Sequence, residues 1–420
     1  MVHDGSDTDW LVRPFAAIRA KNDFAADVIS PPYDVIGLDQ ARQVVKDNPK
    51  SFLRVSRAEV DFADDVDAYS KVVYAKAAEN YSSLLEKGIL IAEREPSYYV
   101  WRMLKGEKTF TGIAGGFSVD AYQDGLVKKH ELTRPKKEQD RAKHIEVLGA
   151  QTGPVMLAHR RNDRIENIVA QVVKTKTIVE VGDSEGVTHK VWKVSEEHLI
   201  QQISSTFREL SVLYIADGHH RSAAAAIVAK ASCKSAKNRS KKCFLGVAFP
   251  FNQLQILPYN RVVCDLNGYT PRIFLKKASK YFFITSKQQP VLPKKPKTFG
   301  FYVANSWYEF SLKPQINLGS DKEDNLDVNI LSKYLLNPIL DIHDIRNDDR
   351  IDFVGGTRGA VGLTQRVDSG EMACGFSLFP TKIEDLIAVA DANRIMPPKS
   401  TWFEPKLVDG LLSLASAYNE

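Results

Sequence analysis

Hydrophobic residues first recur at helical spacing over residues 67–87, and Gly88 follows them as a natural helix stop. This pattern predicts a helix that ends at Gly88. Two later stretches, residues 98–119 and 177–194, each contain two apolar runs separated by a polar turn with glycine, which predicts two hairpins. Trp101 and Trp192 fall within these strands, so we expect both indole rings in the core.

A rigid turn and a charged stretch flank these elements. Two adjacent prolines at 31–32 favour extended backbone, which places Asp34 on a loop. Residues 128–146 are densely charged, and Pro135 there suits the first turn of a helix. Either an exposed helix covered in ion pairs or a loop that clamps phosphate explains this composition. The second interpretation concerns Glu131, Thr133, Lys136, Asp140 and Arg141.

The most informative unit is a predicted strand, turn and helix. An apolar strand over residues 212–215 runs into Asp217-Gly218-His219-His220, and an alanine-rich helix follows over residues 221–230. A basic loop, residues 234–242, then leads to a strand over residues 244–249. Ser195 is expected to cap the helix that precedes this unit.

Beyond residue 265 the pattern continues as alternating strands and helices. The elements predicted there are a hairpin over residues 299–312 with Trp307 in the core, a helix over 326–336, a strand over 351–354 and a helix from a Thr381 cap to residue 392. We therefore expect an α+β protein with two domains, residues 1–265 and 266–420.

Composition limits the function classes. The chain has 420 residues, 44% of them hydrophobic, which is ample for a core. The net charge of +5 is mild, and the short basic runs at 234–242 and 294–297 are typical of solvated loops, so we do not expect nucleic acid as a partner. The four cysteines form no C-x-x-C pair, and neither a secretory signal nor a membrane span is visible, which predicts a cytoplasmic protein.

A strand that runs through a glycine turn into a helix is suited to anions, because unpaired backbone N–H groups and the helix dipole point at the ligand. Gly218 allows a close approach, and Arg221 offers a planar fork for phosphate oxygens. Asp217 could accept a proton or hold Mg²⁺ through a nucleotide. His219 and His220 could donate to phosphate or transfer a proton, so His220 is a catalytic candidate as well. The candidate phosphate-binding residues are Gly218, His219, His220, Arg221, Ser222, Thr133 and Arg141.

Plainer explanations exist for the same residues. A strand–turn–helix with Asp and Gly also occurs as an ordinary connection, and two adjacent histidines also occur in loops. A His-His metal site is disfavoured, since neighbouring residues on one turn rarely face the same ion. Arg261 either reaches the site or forms a surface ion pair. Lys399 and Glu404, on a proline-stiffened loop, are weaker site candidates.

The run IADGHHRSAAA resembles the second signature box of the ParB/sulfiredoxin superfamily. ParB-type proteins carry G-E-R-R at this turn and sulfiredoxins carry G-C-H-R, whereas its free L-serine kinases carry D-G-x-H-R, which Asp217 to Arg221 match best. The runs RPFAAIRA, SPPYDVI, DGLVKKHELT, DRAKHIE and PPKSTWFEPK also resemble a widespread family of uncharacterised proteins of about this length.

This resemblance implies a ParB/sulfiredoxin-like core with large insertions and a C-terminal α+β part. It further implies a kinase that uses ATP or ADP, with Mg²⁺, to phosphorylate the hydroxyl of free L-serine. Asp217 would be an active-site carboxylate, and His220 and Arg221 would bind phosphate. The family's other catalytic group is a glutamate near the N-terminus. Here Asp34 is the nearest counterpart and Glu131 is the rival base.

Other activities fit less well. His219 stands where sulfiredoxins have their cysteine, so thiol chemistry is not expected. A ParB-like nucleotide-binding regulator without kinase activity is the main alternative, although no helix-turn-helix follows the box. The reverse, phosphatase-like reaction is also open. The expected partners are therefore L-serine and a nucleotide, without a membrane, and a homo-oligomer stays open.

Overall fold

The computed structural model describes residues 10–232, 242–319 and 321–415, so that residues 234–241 of the basic loop lie outside the described part. The described strands are β1 (Val12–Arg13), β2 (Ala17–Ala20), β3 (Leu90–Ala92), β4 (Tyr98–Lys105), β5 (Lys108–Ser118), β6 (Val127–Lys128), β7 (Ala150–Gln151), β8 (Val155–His159), β9 (Val179–Gly182), β10 (Thr188–Val194), β11 (Leu213–Asp217), β12 (Cys243–Pro250), β13 (Gln255–Leu257), β14 (Asn260–Val263), β15 (Phe282–Lys287), β16 (Thr298–Val303), β17 (Ser306–Leu312), β18 (Ile351–Val354), β19 (Cys374–Leu378), β20 (Trp402–Glu404) and β21 (Leu412–Ala415). The described α-helices are α1 (Ala25–Val28), α2 (Leu38–Asp47), α3 (Leu53–Ser56), α4 (Lys71–Glu86), α5 (Val119–Gln123), α6 (Pro135–Leu148), α7 (Asp163–Val172), α8 (Glu197–Glu209), α9 (His219–Ser232), α10 (Pro271–Ala278), α11 (Asp327–Leu331), α12 (Asn337–Leu340), α13 (Gly359–Asp368) and α14 (Ile383–Asp391). The α+β class expected from the sequence is confirmed.

Contacts divide the chain into two compact units. The first contains the chain up to Lys128, Thr133–Leu254 and the chain from Pro405 onward, and the second contains Lys129–Leu132 and Gln255–Glu404. This division differs from a domain boundary at residue 265, because the last strand, β21, pairs with β2 near the start of the chain.

The first unit is built on a mixed sheet with the order β6-β11-β8-β12-β5-β4-β10-β9, and β1 pairs with β5. β12 is buried along its whole length, between antiparallel β5 and parallel β8. A smaller sheet, β3-β2-β21-β7, holds the C-terminal strand. Helix α9 packs on α6 through Ala142, Ile145, Ala224 and Val228.

The second unit contains an antiparallel sheet with the order β15-β17-β16-β19-β14-β18. Helix α13 packs on β19, and Val262, Trp307 and Leu363 belong to the core of this unit. The helix predicted over 326–336 is present as α11, but a π-helical turn, Ser332–Leu336, joins it to α12.

Most predicted elements are confirmed, with corrections at their ends. The hairpins form as β4–β5, β9–β10 and β16–β17. Trp101, Trp192 and Trp307 are at most 5% exposed. The two predicted helix caps are wrong: α8 begins after Glu196 and α14 after Lys382, and neither helix has a side-chain cap. Thr381 instead donates its hydroxyl to the carbonyl of Ser400, 2.9 Å away.

Within the ranges that the structure describes, no helix combines the length and the apolar character needed to cross a bilayer.

Candidate functional site

The DGHHR run forms the turn between β11 and α9. Gly218 has a φ of +97°, a backbone angle that residues other than glycine rarely adopt. Its carbonyl accepts hydrogen bonds from the backbone N–H groups of Arg221 and Ser222 at 2.9 and 3.1 Å. A Cβ on Gly218 would lie 2.9 Å from Arg221 Nε. Glycine is therefore favoured at position 218 for two reasons: the positive φ of the backbone, and the guanidinium of Arg221, which lies close to where a Cβ would be.

Asp217 is held between two cations. Arg221 Nη2 donates to Asp217 Oδ2 at 2.7 Å, and Lys406 Nζ donates to Asp217 Oδ1 at 3.2 Å. Arg221 Nη1 also donates to the carbonyl of Pro154. The side chain of Asp217 is 28% exposed, whereas that of Arg221 is 10% exposed. The result is a carboxylate that two cations fix in position and that is still partly exposed to solvent.

A cavity of about 30 Å³ lies beside this ion pair, and Arg221, Arg141, Tyr33, His144, Gly153 and Asp409 are among its lining residues. Arg141 donates from Nε to Asp140 Oδ2 at 2.9 Å and lies over the ring of Tyr33, 4.2 Å from its centroid. Tyr74 donates its hydroxyl to the other Asp140 oxygen at 2.8 Å. Two buried arginines, each with its own carboxylate, therefore border one small cavity.

The electrostatics of the cavity follow from its burial. Burial alone would lower the pKa of Arg221, but the carboxylates of Asp217, Asp34 and Asp409 outweigh this and raise it. Burial raises the pKa of Asp409 to about 7, with Asp34 adding to the shift and Arg221 and Arg141 opposing it. Arg221 thus stays charged, whereas Asp409 changes charge near neutral pH.

Of the two candidate bases, Asp34 lies near this cluster in the first unit. Asp34 is exposed, and its charge acts on the pKa of Arg221, Asp409 and Tyr33. Glu131 belongs to the second unit, where it forms a parallel bridge with Met396.

Three further predicted phosphate-binding residues hydrogen-bond to other groups of the protein. His220 Nε2 accepts from the backbone N–H of Arg134 at 3.0 Å. Thr133 donates its hydroxyl to the carboxylate of Glu138 in the first turn of α6. Ser222 is fully buried and donates to the carbonyl of His219 at 3.0 Å, so its hydroxyl is turned into α9.

Arg261, for which the sequence left two roles open, is buried in the second unit. It is 1% exposed and donates to the carbonyls of Tyr259 and Lys399, the latter at 3.1 Å. Burial lowers its pKa to about 10, against the opposing effects of Tyr259 and Glu131. The interpretation as a surface ion pair is therefore wrong.

Sequence reasoning missed Lys406, Asp409 and Tyr33 as site residues. Lys406 ends the run PPKSTWFEPK, and Asp409 stands in the turn pair Asp409-Gly410, but neither pattern indicates a contact with the DGHHR turn. Tyr33 precedes Asp34 in the run SPPYDVI. All three join the site through contacts between segments that are far apart in sequence.

Fold and site together define an α+β protein with a charged strand–turn–helix site in its first unit. A family model described as "Protein of unknown function (DUF1015)" matches residues 12–329, and the chain belongs to that family. No curated protein matches the chain.

Several solved structures are similar to the chain at low identity. A free serine kinase in complex with AMP has 12% identity and a TM-score of 0.37, with 71% of this chain and 91% of that chain covered. SbnI with a C-terminal truncation, from Staphylococcus aureus, has 10% identity and a TM-score of 0.38, with 73% and 90% covered. A conserved hypothetical protein from Pyrococcus furiosus has 10% identity and a TM-score of 0.35, with 71% and 95% covered.

Proposed function

We propose that this protein is a nucleotide-dependent kinase that phosphorylates the hydroxyl of free L-serine, with ATP or ADP as the phosphate donor. The observation that carries the proposal is the partly exposed carboxylate of Asp217, which Arg221 and Lys406 hold just before the start of α9. The resemblance of the DGHHR run to the box of free L-serine kinases supports the same reaction.

Phosphoryl transfer depends mainly on positioning and on neutralising the charge of the phosphate oxygens. The backbone N–H groups at the start of α9 and the ammonium of Lys406 supply positive potential at this turn. Arg221 is largely buried and donates to Asp217 and Pro154, so in this arrangement it positions the carboxylate. Asp217 can then orient the hydroxyl of the acceptor.

Asp34 is the base in this proposal. It is exposed and lies in the same charged cluster as Arg221, so it can accept the proton of the serine hydroxyl. In the transfer, the serine oxygen forms a bond to the terminal phosphorus, and the bond from that phosphorus to the leaving nucleotide oxygen breaks. The leaving nucleotide is ADP when ATP is the donor and AMP when ADP is the donor. Glu131 remains the alternative base.

Magnesium is implied by the resemblance, and Asp217 does not fit as its direct ligand. Both carboxylate oxygens of Asp217 accept hydrogen bonds from cations, which repel a further metal ion. Nucleotide phosphates are the usual oxygen ligands of Mg²⁺ in such enzymes.

The proposal is tested by incubating the full chain with Mg²⁺, L-serine and either ATP or ADP, and by detecting O-phosphoserine by mass spectrometry. Asp34→Asn should reduce turnover by about 10²–10⁴-fold, the usual contribution of a general base, with nucleotide affinity unchanged. Asp163→Asn, the same change at an 84% exposed position, is the matched control.

The outcomes separate the alternatives. Wild-type turnover in Asp34→Asn would exclude this base and leave Glu131→Gln as the next variant. Absence of product with either donor, together with measurable nucleotide binding, would refute the kinase and favour a nucleotide-binding regulator. Phosphate release from O-phosphoserine alone would favour the reverse, phosphatase-like reaction.

A further inference from the structure

The cavity beside Arg221 contains a buried carboxylate oxygen without a hydrogen-bond partner. Asp409 is 3% exposed, and its Oδ1 accepts no hydrogen bond from any residue that the structure describes. Its backbone is fixed by an antiparallel bridge to Ser30, with N–H to carbonyl distances of 2.9 and 3.2 Å. An unpaired buried carboxylate oxygen is costly, and because Asp409 lines the cavity, a ligand has room to pair with it there.

The charges around Asp409 indicate what kind of group is missing. Arg221 is paired with Asp217 and Arg141 with Asp140, so each buried arginine already has a carboxylate partner. Asp409 is the carboxylate left over, and Asp34 adds a further negative charge near it. Lys406, which donates to Asp217, is the third cation of the set, so one negative charge remains in excess. A positively charged hydrogen-bond donor is the group that balances this set.

The size of the cavity limits that donor. A volume of about 30 Å³ has room for roughly two water-sized groups, so it admits the ammonium head group of a ligand while the rest of the ligand stays outside. Gly153 keeps this space open, because a Cβ there would lie 3.1 Å from both Asp409 Oδ1 and Arg221 Cδ. Arg221 lines the cavity and also donates a hydrogen bond to Asp217, so the cavity and the DGHHR turn share this residue.

We infer that this cavity is an ammonium subsite, in which Asp409 Oδ1 accepts a hydrogen bond from the α-amino group of an amino-acid substrate. The inference rests on the proposed function, since it specifies how the amino acid that accepts the phosphoryl group is recognised. An alcohol that lacks the amino group should be excluded, because it would leave the buried carboxylate oxygen unpaired.

Binding of L-serine to the full chain, measured by isothermal titration calorimetry, tests the subsite. Asp409→Asn should weaken L-serine binding at least about tenfold, the range for loss of a hydrogen bond between charged groups, and should leave ATP and ADP affinity unchanged. Asp327→Asn is the matched control, because Asp327 is also a buried carboxylate with an unpaired oxygen, and it lies in the second unit. Gly153→Ala, which crowds Asp409 Oδ1 without changing its charge, should weaken L-serine binding as well.

A second arm uses wild-type protein alone and does not depend on how a variant folds. 3-Hydroxypropanoate has the hydroxyl and carboxylate of serine without the amino group, and it should bind at least about tenfold more weakly. L-Serine binding near pH 7 should also release protons, seen as a dependence of the heat on the buffer, because an ammonium neighbour favours the ionised form of Asp409.

The inference and the proposed function fail in different ways. Equal affinity for L-serine and 3-hydroxypropanoate, absence of L-serine binding to wild type, or unchanged L-serine affinity in Asp409→Asn would each overturn the subsite. Phosphotransfer with an unchanged KM for L-serine in Asp409→Asn would also overturn the subsite while leaving the kinase intact. L-Serine binding that depends on Asp409, without phosphotransfer by wild type, would support the subsite and refute the kinase.

Discussion

Gly218→Ala is the substitution whose cost can be worked most directly from the structure. An alanine at a φ of +97° costs about 1–3 kcal/mol in backbone strain. Its Cβ would lie 2.9 Å from Arg221 Nε, so the guanidinium must shift and the hydrogen bond to Asp217 is lost, at about 1.5–3 kcal/mol. We therefore expect a loss of about 2.5–6 kcal/mol in the free energy of unfolding.

Gly88→Ala supplies the control for backbone strain alone. Gly88 has a φ of +65°, and a Cβ there would meet no atom within 4 Å, so we expect a cost of about 1–2 kcal/mol and unchanged activity. Both variants lie in the first unit and are compared by urea-induced unfolding. Phosphotransfer should be lost in Gly218→Ala only. If the losses in the free energy of unfolding of the two variants differ by less than about 1 kcal/mol, the close contact between Gly218 and Arg221 does not contribute to stability and the reasoning is refuted.

Three further predictions concern other contacts. Lys406→Met should lower stability by less than about 1 kcal/mol, because the Asp217–Arg221 pair remains, but should reduce phosphotransfer measurably. Trp101→Phe should cost about 2–4 kcal/mol in urea-induced unfolding, because it empties buried volume and removes the hydrogen bond from Nε1 to His189 Nδ1, 3.1 Å away. Burial raises the pKa of Asp327 to about 7, so the folded protein keeps a proton that the unfolded chain has released between about pH 4 and 7, and stability falls as the pH rises through that window. Asp327→Asn should match wild type near pH 4 and be more stable at pH 8, and equal stability at pH 8 would contradict this reasoning.

Much of the local structure could be predicted from the sequence. The strand, glycine turn and helix around Asp217 are formed by adjacent residues, and hydrophobic periodicity alone is sufficient to locate them. The same holds for α4, which ends before Gly88, and for the hairpin β4–β5. The prediction of the helix caps was wrong because a hydroxyl can hydrogen-bond to distant groups as well as to its own helix. Thr381, for example, donates to the carbonyl of Ser400, 19 residues away.

Long-range pairing decided the rest of the candidate site. Lys406 contacts Asp217 across 189 positions, and Asp409 reaches the cavity because β21 pairs with β2 and the Asp409 backbone pairs with Ser30. Local sequence propensity does not predict such pairings, because their register depends on hydrogen bonds between segments that are distant in sequence. The sequence by itself determined the turn that holds Asp217, and only the tertiary structure decided which cations hold that carboxylate and that Asp409 Oδ1, beside it, accepts no hydrogen bond from the described residues.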